Sequence, residues 1–150
     1  MASPIRRTGR DRFTVELHES AVDLVDHMCS ELETLLQTDS PLLARLFPPP
    51  YGDDTERNEG YAALAVPELI DHRMEALATV RSTLRSDVVT EEELMAWVRS
   101  LNDMRLVLGT LLDVSDDAGP SGVPERLLET FRVYEFLGYL LEATVEALGS

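Results

Sequence analysis

Hydrophobic residues recur along this chain with two different periods. Between Ile5 and Leu17 they follow period two: beyond Gly9, the residues Phe13, Val15 and Leu17 share one face. This predicts a small β-hairpin or an extended arm. A lone two-stranded hairpin is marginal in water, so that face must rest on the rest of the protein. From about residue 19 to 37 the period becomes helical, with Val22, Val25, Cys29, Leu32 and Leu36 in one stripe and Asp23, Asp26, Glu31 and Glu33 opposite. Ser40 and Pro41 open a short helix reaching Leu46, and Phe47-Pro-Pro-Pro50 stops it.

A long helical pattern then runs over residues 56–86, with Ile70, Met74, Leu77, Val80 or Arg81, and Leu84 facing inward. Pro67 falls in its middle and predicts a kink or a division into two helices. Thr90-Glu-Glu-Glu93 reads as a capping box opening a helix to about Asp113, whose inner residues are Leu94, Trp97, Val98, Leu101, Arg105, Leu108 and Leu112. A polar loop follows at residues 115–122. The last helix spans about 124–148, with Leu127, Phe131, Tyr134, Leu141, Val145 and Leu148 inward. The expected fold is all-α: a compact bundle of four main helices plus one short one, as a single domain. Residues 1–17 would form the arginine-rich arm or hairpin and residues 18–150 the bundle.

Within this pattern, residues 101–110 stand out. Asn102, Asp103 and Arg105 interrupt a helix that otherwise reads as buried nearly all round, and Gly109 follows. Buried polar groups are costly without partners, so the stretch is a structural node or a recognition site. Asn102, Arg105 and Gly109 share a stripe, on a central helix or one completed by a dimer partner. A buried guanidinium calls for a carboxylate, for which Asp53, Asp54, Asp71 and Glu75 are candidates. Gly109 costs about 1 kcal/mol relative to alanine in a helix interior. Its expected return is close approach by another helix, at Gly138.

Charge changes the picture more than composition does. The 150 residues carry 13 basic and 28 acidic side chains, a net charge of −15, and every basic residue is arginine. Arg6, Arg7, Arg10 and Arg12 against Asp11 make the arm locally positive, leaving the body more negative still. Phosphate backbones require a basic footprint, so direct DNA binding by the helical body is not expected. No apolar run is long enough to span a bilayer, and no apolar core follows the first arginines. A cytoplasmic protein is the expectation.

Candidate chemistry is sparse. The single cysteine, Cys29, lies on an apolar stripe, where a buried structural thiol competes with a redox role. Asp23, His27 and Glu31 share one helix face, and Glu68, His72 and Glu75 another, but the Glu-x-x-His spacing of di-iron bundles is missing. No metal, cofactor or catalytic residue is assigned. There is no nucleophile elbow, phosphate loop or dinucleotide fingerprint, and the expectation is a protein that is not an enzyme.

Two segments, Arg45-Leu-Phe-Pro-Pro-Pro-Tyr-Gly-Asp-Asp54 and Leu101-Asn-Asp-Met-Arg-Leu-Val-Leu-Gly-Thr110, resemble an actinobacterial family of unknown-function domains, the AosR-type oxidative-stress transcription regulators. The arginine-rich arm, the Thr90 helix start and the closing acidic helix extend the likeness over most of the chain. The resemblance adds Tyr51, Asp53 and Asp54 to Asn102, Asp103, Arg105 and Gly109 as node residues. It implies a non-enzymatic regulator that contacts a sigma factor or RNA polymerase. An adaptor or scaffold linked to Clp proteolysis, or a small-ligand or metal-binding bundle, are the alternatives. The family's proposed redox mechanism uses two cysteines in one chain, whereas this sequence has Cys29 alone.

Overall fold

Two short strands open the chain and rest on the helices, as the period-two face requires. The structure is a computed structural model that describes residues 3–112 and 123–150. Strands β1 (Ile5–Gly9) and β2 (Arg12–Val15) pair antiparallel, with Ile5 opposite Val15 and Arg7 opposite Phe13. Ile5 and Phe13 are buried, and Phe13 exchanges backbone hydrogen bonds of 2.8 and 2.9 Å with Val89. The hairpin thereby gains a third backbone partner 76 positions further along the chain.

Four α-helices follow among the described residues: α1 (Glu19–Leu35), α2 (Thr55–Thr83), α3 (Glu91–Leu112) and α4 (Leu128–Leu148). The fold is an all-α bundle with a small N-terminal β-hairpin. The short helix before the prolines is a single 3-10 turn, Pro41–Leu43, with the Ser40 hydroxyl accepting from the Leu42 amide. The capping box forms in both directions. The Thr90 amide donates to Glu93 Oε1 at 2.9 Å, and the Glu93 amide donates to Thr90 Oγ1 at 3.2 Å. The polar loop expected at residues 115–122 lies outside the described residues.

The core gathers along α3, which packs on α1, α2, α4 and the hairpin. Val22, Val25, Cys29, Leu32 and Leu36 are buried, matching the stripe. Trp97 is fully buried and donates from its indole nitrogen to Thr83 Oγ1 at 2.8 Å, locking α3 to the end of α2. On the outside, Arg81 bonds Asp26 and Glu33, and Arg85 bonds Glu19 and Asp23, joining α1 to the last turn of α2 and the residues just after it. Such exposed pairs set orientation more than they stabilise.

Two expectations need correction. Of the two outcomes expected at Pro67, a kink or a division, the division does not occur: α2 is one helix of 29 residues. A proline deletes one hydrogen bond and crowds one turn, and flanking turns with room around them absorb that. The inner face of α4 is also different. Leu137, Leu140, Ala143, Thr144 and Ala147 are buried with Phe131, whereas Val145 is 52% exposed. The small residues Ala143, Thr144 and Ala147 are what allow close packing here, and a search for large apolar side chains passes over them.

Candidate functional site

The polar stretch of α3 places one carboxylate in the interior, and it is Asp103. Its side chain is 5% exposed. Arg73, from α2, donates from Nη1 to Asp103 Oδ1 and from Nη2 to the Leu46 carbonyl at 3.1 Å. The same guanidinium lies 5.2 Å from the centroid of the Phe47 ring. One side chain therefore ties α2, α3 and the turn before the prolines together. Burial pushes the Asp103 carboxyl above its ordinary range, and the Arg73 hydrogen bond and charge oppose this without cancelling it. The group is held by its partner against a net cost of desolvation, as buried pairs commonly are.

Arg105 has a different environment from the one its position implies. Among the described residues it forms no ion pair, and none of Asp53, Asp54, Asp71 and Glu75 reaches it. Its guanidinium carbon sits 4.8 Å from the Tyr134 ring centroid, and its Nε is buried without a hydrogen-bond partner. A half-exposed arginine needs no carboxylate when its charge faces an aromatic ring and water takes the remaining donors. Asn102 is exposed and so does not share a buried stripe with Arg105.

The mid-helix glycines Gly109 and Gly138 do not bring helix backbones together; each makes room for a guanidinium. A Cβ on Gly109 would stand 2.8 Å from Arg45 Nη1 and 3.5 Å from the Tyr134 ring. On Gly138 it would stand 3.1 Å from Arg105 Nε. Their two arginines and Tyr134 form a small cluster on the α3–α4 seam, apart from the Arg73–Asp103 pair.

Tyr51, Asp53 and Asp54 are exposed and lie at the start of α2, away from the α3 node. Asp54 caps that helix by accepting from the Arg57 amide at 3.1 Å. Asn58 clasps the preceding turn: its Oδ1 accepts from the Tyr51 amide and its Nδ2 donates to the Gly52 carbonyl, both at 3.0 Å. Gly52 has φ +58°, a conformation other residues adopt only under strain. Beyond this turn, no residue of α2 from Thr55 to Glu75 is buried. Leu46, Phe47 and Pro48–Pro50 face this stretch across a groove of about 470 Å³.

The remaining candidates separate clearly. Cys29 is fully buried, and burial, only partly offset by nearby Arg81, pushes its thiol up to about 12. As a neutral, enclosed thiol it is a poor nucleophile. His18 caps α1 through Nδ1, accepting from the Ser20 amide. His27 lies 3.9 Å from Glu31 at the surface, and no group of three metal-binding side chains assembles among the described residues. No described helix is long and apolar enough to cross a membrane. Arg73 is the residue that sequence reasoning misses. Its signal is an arginine beside the apolar positions Ile70, Met74 and Leu77, which implies an interior acceptor such as Asp103.

The bundle and its polar node define an acidic helical domain with an N-terminal hairpin. The chain belongs to the family described as a domain of unknown function, DUF2017, which it matches over residues 2–148. It is 33% identical over 129 residues to the "Putative oxidative stress regulator AosR" of Mycobacterium leprae, covering 73% of this chain and 59% of that protein. It is 34% identical over 101 residues to the "Oxidative stress regulator AosR" of Mycobacterium tuberculosis H37Rv, covering 61% of this chain and 44% of that one. The chain thus spans about half the length of these curated relatives. No solved structure matches it.

Proposed function

We propose that this chain is a non-catalytic regulator of the oxidative-stress response, working in the cytoplasm by contact with a sigma factor or RNA polymerase. Its similarity to the oxidative stress regulators AosR carries the reading. The net charge of −15 supports a partner with a basic surface, since complementary charge accelerates encounter and suppresses wrong partners. The enclosed Cys29 supports a regulator whose own thiol does not read the signal. Affinity capture with the intact chain at low salt is the test. Recovery of a sigma factor or polymerase subunit that is released by raised salt upholds the reading. Recovery of no transcription component, or of a protease complex in its place, overturns it.

A further inference from the structure

We propose that the proline-rich turn and the unburied half of α2 form a docking surface for a basic amphipathic helix of another protein. This rests on the reading above and names where contact occurs. The first observation is the absence of any buried residue over 21 consecutive positions of α2, from Thr55 to Glu75. Ile70, Arg73 and Met74 still touch the bundle, but the turns from Thr55 to Leu64 are almost wholly exposed and marginal alone, and Gly60 weakens them further. Yet its start is carefully fixed, by the Asp54 cap, the Asn58 clasp and the glycine-specific turn at Gly52. Local devices preorganise first turns that the bundle leaves open.

That surface has the composition of a helix-binding groove. Phe47, Pro48, Pro49 and Pro50 form one wall and Ala62 and Val66 the other, with Tyr61 at the rim. The prolines cannot donate backbone hydrogen bonds and keep the wall rigid. One turn from Tyr61 on the helix, Leu64 is 85% exposed, and Tyr51, which follows the prolines, is 47% exposed. A helix laid along the groove would insert apolar side chains there and cover Tyr61 at its rim, with Leu64 on the adjoining exposed face of α2.

Charge selects the occupant. The largely exposed stretch from Tyr51 to Asp71 carries Asp53, Asp54, Glu56, Glu59, Glu68 and Asp71 against Arg57, and Arg73, which lies on Phe47 beside the groove, is already paired with Asp103. Arg57 is already engaged, 3.5 Å from Asp54. A second copy of this chain would bring the same carboxylates against them, a repulsive arrangement. A partner helix carrying lysine or arginine beside its apolar stripe meets both the groove and its rim.

The test uses the full chain in the organism that encodes it, with a photoreactive amino acid at position 64 and, as a control, at exposed position 145 of α4. The expected result is cross-linking from position 64 and not 145, onto a lysine- or arginine-rich segment with helical apolar spacing. Alongside it, affinity for the captured partner is measured for Ala62→Glu and Leu64→Glu, both at exposed positions where the fold tolerates charge. Each should weaken binding about tenfold with the melting temperature unchanged. Cross-links to a second copy, or to a neutral or acidic segment, overturn the proposal. If a transcription component binds both variants as tightly as the parent chain, this surface is wrong while the functional reading stands. If the intact chain captures no such component, both fall.

Discussion

At the scale of single residues, the Arg73–Asp103 pair and the Arg105 cluster make opposite predictions. Arg73→Ala strands a carboxylate that is nearly enclosed, and we expect a loss of about 3 kcal/mol near neutral pH. Asp103→Asn removes the buried charge and keeps an acceptor for Arg73, so its cost should be nearer 1 kcal/mol. The pH dependence follows from the raised Asp103 pKa. Stability tied to its protonation is complete below the ordinary value of 3.8 and is lost as pH rises through the folded-state value. Removing Arg73 raises that folded value further, so the Arg73→Ala penalty should shrink as pH falls toward 4, as denaturant titrations at several pH values would show. Arg105→Ala strands no described carboxylate; losing its ring contact and packing should cost about 1 kcal/mol. Gly138→Ala crowds the Arg105 guanidinium, and in an Arg105→Ala background the same change should become neutral or stabilising. A double-mutant cycle by thermal denaturation measures this coupling, and additive effects would refute it.

At the scale of elements, α2 consists of two halves with different support. Its end is buried at Ala76, Leu77, Val80 and Thr83, whereas residues 55–75 contain no buried position. Amides of residues 59–70 should therefore exchange with solvent much faster than those of residues 77–83 in the isolated protein. Pro67→Ala restores one helical hydrogen bond and should slow exchange in the first half while leaving the second unchanged. This division also explains what periodicity and capping rules can reveal. Caps and stripes are local, so Thr90–Glu93, Ser40–Pro41 and the α1 stripe are legible from the amino-acid order alone. The Phe13–Val89 bridge and the Arg73–Asp103 pair depend on residues 76 and 30 positions apart, which periodicity cannot connect. Spacing groups Asn102 with Arg105, but a polar residue on a central helix takes its environment from its neighbours, and Asp103 is the interior one. Pro67 misleads because it marks where a helix is weakened without saying whether it ends.

At the scale of the whole molecule, 28 carboxylates face 13 arginines, and repulsion opposes the compact state. The surface pairs between α1 and α2 weaken in salt, but they are few beside the excess of negative charge. We expect the melting temperature to rise from low ionic strength to about 0.15 M salt, where the Debye length is about 8 Å. A fall would show that the Arg81 and Arg85 pairs dominate. The lone tryptophan has a practical consequence. Trp97 is sealed where α3 meets the anchored end of α2, with its indole committed to Thr83. Intrinsic emission should therefore be blue-shifted in the native state and move to the red only when that seam opens. Fraying of the distal turns would be optically silent, so fluorescence and circular dichroism recorded on one sample would part company wherever helix is lost without the seam.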